Sequence, residues 1–235
     1  MYPLTSTSAS SAFTGLFVDL GVTGETLRST GNKLEFNGSA TGAFLSFPAP
    51  NETLKPHIAG YIGVEGRIPV KENFIVGLGG DVQIIKAKSN TLAYSGINDS
   101  GNAETVSNFT LSTKNVVSAW ITPGIIRNNT LFHGILGASQ VHVTIGSPNA
   151  FDTQSGATNA IGQESTSYTV HGFQYGAGLE RQVKKNMQAF AKITNTQYNP
   201  ATGHASPALF PNIRGAFSTT LANTALSLGV RYKLY

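Results

Sequence analysis

The chain has no cysteine, little charge and no long apolar run. The absence of cysteine among 235 residues excludes a disulfide scaffold, thiolate chemistry and cysteine-ligated zinc. Charged residues make up 12% of the chain, about half the share usual in a soluble domain. Lys and Arg outnumber Asp and Glu by 16 to 12, but they are scattered, and the basic stripe of a nucleic-acid interface is missing. No stretch approaches the ~18 consecutive apolar residues of a membrane helix. Helical periodicity is almost absent. No secretory leader is legible at the start: Met1-Tyr2-Pro3-Leu4 runs into Ser and Thr with neither a charged opening nor an apolar stretch. The chain is therefore expected to be either cytosolic or a mature form with its signal removed and a start Met added, and the strand pattern favours the second. What is present is 40% hydrophobic residues, 26 Gly and 10 Pro, with a polar part made mostly of Ser, Thr and Asn. That is enough apolar surface for one sizeable core and too much for disorder.

The recurring pattern is alternation with period two, broken by Gly, Asn and Pro clusters. Leu16, Val18, Leu20 and Val22 share one face, against Phe17, Asp19 and Gly21. Phe74, Val76, Leu78, Val82 and Ile84 oppose Ile75, Gly77, Gly79, Asp81 and Gln83. Leu226, Leu228, Val230, Tyr232 and Leu234 oppose Ser227, Gly229, Arg231 and Lys233. Eight such segments are read at 12–24, 56–68, 73–86, 114–126, 130–145, 166–181, 186–199 and 220–235. Three short connections (69–72, 127–129 and 182–185) alternate with four long ones (25–55, 87–113, 146–165 and 200–219). The long ones show no regular pattern and read as loops. Strict alternation of short and long connections means an up-and-down meander, with every long loop at one end and both termini at the other. Residues 1–11 are expected to form a loose tail and 12–235 the barrel domain.

The non-apolar face is sparse in charge and rich in Gly, Ser, Thr and Gln, which suits a crowded interior better than a water-exposed surface. The segments are also long. A tilted membrane strand needs about 9–11 residues to cross, and closure satisfies every backbone group, as lipid requires. The expected fold is all-β: an eight-stranded antiparallel up-and-down transmembrane barrel with short periplasmic turns and four long extracellular loops.

Three stretches add a specific resemblance. They are Gly60-Tyr61-Ile62-Gly63-Val64-Glu65-Gly66-Arg67 before a tight turn, Thr122-Pro123-Gly124-Ile125-Ile126 with Asn128-Asn129-Thr130-Leu131-Phe132, and Gly176-Ala177-Gly178-Leu179-Glu180 with the turn to Asn186-Met187. Together they resemble the small eight-stranded outer-membrane barrels of Gram-negative bacteria, of the outer-membrane protein X and opacity-protein type. The end of the chain is similar to that family's C-terminal assembly signal, carried by Val230, Tyr232, Leu234 and Tyr235. Leu234 holds the outward frame where the family has an aromatic residue, and Tyr235 falls one position past it. The resemblance covers all strands and none of the long loops, so it bears on fold and location more than on activity.

With the even-numbered aliphatics of the first strand facing lipid, parity sends Asp19 inward. The same bookkeeping places Glu65, Arg67, Asp81, Gln83, Gln174, Glu180, Gln188, Lys192, Arg231 and Lys233 inside. Four carboxylates and four cations would share a narrow lumen, and enclosed charges need partners. Glu180 with Lys192, and Asp19 with Arg231 across the closing seam, are the expected pairs of a network that fills and locks the barrel. Tyr61, Phe74, Trp120, Phe132 and Tyr232 are candidates for the aromatic girdles at the membrane interfaces, with plain packing as the alternative. In the fifth segment Phe132 and Leu136 have one parity and Val141, Val143 and Ile145 the other, which predicts a bulge between them. Lys184-Lys185 reads as a solvated turn that could also touch anionic headgroups.

Chemical motifs are few. The five histidines are dispersed without metal-ligand spacing, and the Gly-rich stretches open no helix to cradle a phosphate. His204-Ala205-Ser206 has the local spacing of a lipid deacylase pair, but no Glu follows Glu180 to orient a base. No enzyme, cofactor or metal is expected. The resemblance implies a surface protein whose barrel is a scaffold and whose loops serve adhesion or contact with host or environmental molecules. The apolar stretches Ala43-Phe44-Leu45-Ser46-Phe47 and Ala208-Leu209-Phe210 would lie in those loops. Expected partners are outer-membrane lipid and lipopolysaccharide, the outer-membrane assembly machinery and host-surface molecules, with no nucleic acid, and the chain is expected to be a monomer. The competing classes are a narrow channel or transporter, which would need an unpaired lumen or a lateral opening, and a lipid-modifying enzyme.

Overall fold

The structure is a computed structural model that describes residues 9–38, 44–48, 51–54, 56–89, 92–97, 103–154, 157–205 and 213–234. After one helical turn, α1 (Ala9–Ala12), it is all strand: β1 (Gly15–Gly38), β2 (Phe44–Pro48), β3 (Glu52–Thr53), β4 (His57–Lys71), β5 (Phe74–Lys88), β6 (Leu92–Ile97), β7 (Ala103–Arg127), β8 (Thr130–Gln154), β9 (Ala157–Lys184), β10 (Met187–Tyr198), β11 (Ala201–Ala205) and β12 (Ile213–Lys233). Eight of these form the wall in the order β12-β10-β9-β8-β7-β5-β4-β1, and β1 pairs with β12 to close it. Every neighbour is antiparallel, and the seam runs in register from Phe17 opposite Lys233 to Gly38 opposite Ile213, with one shift near Asn32.

The outer face of the lower wall is an apolar belt. Leu20, Val22, Ile62, Val64, Leu78, Ile121, Ile125, Leu136, Phe173, Leu179, Ile193, Leu226, Leu228 and Val230 all stand exposed on it. Exposed aliphatics in such number have one compatible solvent, the hydrocarbon of a bilayer, and a closed barrel leaves no unpaired edge to it. Tight turns join the strands at one end. In the turn from Arg127 to Thr130, Asn128 and Asn129 have φ of 50° and 57°, the mirror-image geometry that a two-residue hairpin favours and that Asn tolerates.

Among the described residues, most of the segments expected to be structureless loops are instead strand. β1 continues to Gly38, β8 to Gln154 and β9 spans 28 residues. β2 and β3 prolong β4 alongside β1, β6 prolongs β5 alongside β7, and β11 prolongs β10 alongside β12. The wall therefore rises well past the belt as paired ribbons. These segments lack alternation because, above the membrane, neither face needs to be uniformly apolar. Their ladders rest on backbone pairing and on cross-strand side-chain contacts such as Thr219 Oγ1 donating to Asn32 Oδ1 at 2.6 Å.

The bulge expected between Leu136 and Val141 is not there. β8 pairs with β9 without a shift from Thr130 to Ser147. Leu131, His133, Ile135, Ser139, Val141, Val143 and Ile145 all point inward. The aliphatics change parity because the interior changes character: its upper part is an apolar core of Leu27, Leu54, Ile85, Leu111, Val116, Val141, Val143, Val170 and Leu221. A register shift does occur on β7, between Lys114 and Val116, where Asn115 adopts a φ of 47°.

Residues 1–8 lie outside the described part. Ala9–Ala12 do not trail away but turn beneath the barrel, and Phe13 is fully buried against Ile75, Ile126 and Leu131.

Candidate functional site

The interior is filled in layers. At the foot, the Phe13 cluster stops the lumen, and two side chains hold the chain leading into it. Lys233 Nζ donates to the Ser11 carbonyl and Gln188 Nε2 to the Ala12 carbonyl, each at 2.6 Å.

Above this lies the charge network. Arg67 grips Glu180 with two parallel bonds, Nη1 to Oε2 at 2.6 Å and Nη2 to Oε1 at 2.5 Å. Its Nε donates to Glu65 Oε1 at 2.7 Å. Arg231 reaches three carboxylates: Asp19 by Nε and Nη2 at 2.6 and 2.5 Å, Glu65 at 2.8 Å and Glu180 at 2.8 Å. Thr122 Oγ1 donates to Glu65, and His133 Nε2 lies 3.2 Å from Glu180 Oε1. The Phe17 ring packs under both guanidiniums, 5.4 Å from Arg67 and 5.7 Å from Arg231. Planar guanidinium forks suit this enclosure, because each satisfies several carboxylate oxygens in fixed directions.

One level up, Lys192 Nζ bonds Asp81 at 3.0 Å and sits 4.5 Å from the ring centres of both Tyr61 and Trp120. Higher still, Ser118, Ser139 and Tyr198 form a hydroxyl chain, Ser227 donates to Thr23, and Asn223 donates to Glu25. The apolar core lies above them.

The sequence places Asp19, Glu65, Arg67, Asp81, Gln83, Glu180, Lys192, Arg231 and Lys233 in the lumen, and the structure holds the first eight there, with Lys233 at the foot. Gln83 lies beside Asp81, 3.5 Å away. Asp19 meets Arg231 as expected, but Glu180 does not meet Lys192. The adjacent-strand position is taken by geometry: Lys192 pairs in register with Gly178, and its flexible stem crosses to Asp81, while Glu180 accepts the two arginines.

Two of the expected girdle aromatics are corrected. Tyr61 and Trp120 are each 5% exposed and face inward. Tyr61 has the parity of Glu65 and Arg67, and Trp120 that of Thr122, so alternation forces them inside. Phe132 and Tyr232 do stand on the outer face, and Phe74 is half-buried at the turn. Of the C-terminal assembly residues, Val230, Tyr232 and Leu234 face outward, and Tyr235 lies outside the described residues. Ser206 and Ala208-Leu209-Phe210 also lie outside them, while Phe44–Pro48 form β2.

His133 and Thr122 belong to the network and were not singled out by sequence reasoning. The parity opposite to Phe132 would have found His133. Gly178 makes its place: a Cβ there would collide with the imidazole Nε2. Among the described residues, no group of His, Asp and Glu has the arrangement of a metal site.

A closed eight-stranded wall, apolar outside and charge-paired inside, defines an outer-membrane β-barrel. No protein-family model and no curated protein matches the chain. Its fold is similar to that of the outer membrane protease OmpT from Escherichia coli, with a TM-score of 0.52 at 9% identity over 92% of this chain and 96% of that one. Neisserial surface protein A aligns at a TM-score of 0.36 and 12% identity over 92% and 97%. Ail, the attachment invasion locus protein of Yersinia pestis, aligns at 0.32 and 11% over 87% and 98%. At such identities the likeness concerns the fold and not the activity.

Proposed function

We propose that this is a non-enzymatic surface protein: a sealed barrel that anchors in the outer membrane and holds four β-ribbons outside the cell to contact other molecules. One observation carries the reading. The interior is occupied at successive levels, by the Phe13 cluster, by the Arg67–Glu180–Arg231 network and by the apolar core, which supports reading it as a support and not a path. What the fold presents to the outside is the upper wall, and 28 residues of β9 against the ~9–11 needed to cross a bilayer leave much of that strand in water.

The test is single-channel recording from refolded barrels in a planar bilayer, with unboiled gel migration confirming that the inserted protein is folded. No discrete steps are expected. Reproducible steps would mean a continuous water path and would transfer the protein to the channel class.

A further inference from the structure

Between the Lys192–Asp81 pair and the apolar core, the lumen holds a layer of acceptor oxygens that lack donors. Glu25, Gln83, Gln174 and Asn223 are each between 2% and 4% exposed. Among the described residues, no donor reaches Glu25 Oε1, Gln83 Oε1, Gln174 Oε1 or Asn223 Oδ1. The wall sets three of these side chains next to one another. Thr196 is directly opposite Gln174 on one side and Asn223 on the other, and Asn223 Nδ2 donates to Glu25 Oε2 at 3.2 Å. Gln83 stands beside Asp81 on β5. The Asp81 and Glu25 carboxylates lie close enough across the lumen to act on each other's charge, and both act on Tyr198.

Turning the amides over does not supply the donors. Asn223 Nδ2 points at Glu25, and Gln83 Nε2 faces Asp81 Oδ1 at 3.5 Å. A flip would set a carbonyl oxygen against a carboxylate in each case. Hydroxyls nearby are committed: Ser118, Ser139 and Tyr198 to one another, Ser227 to Thr23, and Thr23 to the Leu226 carbonyl. His57, opposite Glu25 on β4, sends no hydrogen bond to Glu25 Oε1. Charge is open as well. Among the described residues, the ion pairs of the lumen take Asp19, Glu65, Glu180 and Asp81, and Glu25 is in none of them. Enclosed charges need a partner, and buried acceptors need a donor or a cation.

Three species supply what is missing, and counting separates them. A proton on Glu25 cancels its charge but offers one donor for the amide oxygens. A water offers two donors and no charge. One metal cation meets the carboxylate and the amide oxygens together. Oxygen-only donors suit a hard cation and not the nitrogen- and sulfur-seeking transition metals. A single carboxylate balances a monovalent ion, whereas a divalent ion would leave an excess charge enclosed. We infer that this layer of the lumen binds one sodium or potassium ion through Glu25 Oε1, Gln83 Oε1, Gln174 Oε1 and Asn223 Oδ1. The ion completes the filling between the charge network and the apolar core. This goes beyond the proposed surface role and does not depend on it.

The test is urea unfolding of the full chain refolded in detergent micelles. Sodium chloride or potassium chloride is exchanged against choline chloride at constant ionic strength, because choline is too large for the layer. With one ion bound per folded barrel, the unfolding equilibrium constant should fall about tenfold for each tenfold rise of the preferred ion once the site is filling. Glu25→Gln keeps the bond from Asn223 and removes the charge, and its stability should not respond to the ion. Gln174→Met keeps the reach of the side chain and removes one oxygen, and the response should move to higher ion concentration. Unboiled gel migration checks that each variant is folded. If Glu25→Gln does not fold, Gln174→Met decides alone. A native barrel indifferent to both ions would overturn the site and leave the layer to water or to a protonated Glu25. An unchanged response in Glu25→Gln, or in Gln174→Met, would overturn it equally, because the ion would then bind elsewhere.

Discussion

Arg67 and Glu180, 113 residues apart in sequence, are joined by two parallel hydrogen bonds of 2.6 and 2.5 Å in the middle of the lumen. Neither side chain has access to solvent beyond 1%. Removing one member leaves the other charged and enclosed. Arg67→Ala is therefore expected to destabilise the barrel by about 3–5 kcal/mol. The measurement is the urea midpoint of unfolding in micelles. Because both residues act in one network, adding Glu180→Gln to Arg67→Met should cost much less than the sum of the single changes. Additive losses would mean that the pair is not coupled.

Trp120 is the one tryptophan of the chain, and its ring covers Lys192 inside the wall. Its fluorescence is expected to resist quenching by brominated lipid. A second tryptophan placed by Leu136→Trp, on the exposed outer face, should be quenched strongly in the same vesicles. Strong quenching of Trp120 would return it to the lipid interface. Lys192→Met keeps the stem and removes the cation. It should shift the Trp120 emission and, because it also leaves the buried Asp81 carboxylate without its cation, cost about 3–5 kcal/mol.

How much of this was legible beforehand depends on which physical rule governs each segment. Where one face meets lipid and the other a polar lumen, parity alone places the residues, as for Asp19, Glu65, Glu180 and Arg231. The same parity argument reaches Tyr61 and Trp120, but residue type pointed to the interface and prevailed wrongly. Above the membrane the rule fails, because the interior itself becomes apolar around Val141 and Val143. Alternation inverts in meaning there without any break in the β8–β9 register, and the polar ribbons carry no periodic signal at all. Pairing within the lumen was only half readable. Asp19 and Arg231 lie opposite each other in the ladder, whereas Lys192 and Asp81 meet across the barrel, and no local sequence rule reports that contact.

Gly137 packs against the backbone of β7, where an added Cβ would collide with the Ala119 carbonyl oxygen and approach Trp120 Cα at 2.8 Å. Backbone cannot move aside as a side-chain tip can. Gly137→Ala is expected to cost about 1–3 kcal/mol through overpacking. Gly134→Ala is the control: its nearest neighbour would be Pro123 Cγ at 3.8 Å, and the midpoint should stay within error of the native value. Equal effects at the two sites would contradict the wall packing.

The absence of cysteine allows single-cysteine labelling of whole cells without background. Thr30→Cys and Asn199→Cys, exposed on the upper wall, should react with a membrane-impermeant maleimide. Asn128→Cys and Lys185→Cys, in the tight turns, should react only after the cells are permeabilised. Labelling of Asn128→Cys on intact cells would invert the orientation.

Arg231 stands on the last strand, yet it bonds Asp19 on the first, Glu65 on β4 and Glu180 on β9. A keystone set only when the final course of the wall arrives gives assembly a direction. Until β12 docks, three carboxylates share one guanidinium, and a nearly complete sheet remains electrically unbalanced. A chain cut short by a few residues is thus an arch without its centre stone, recognisable as unfinished by its own uncompensated charge.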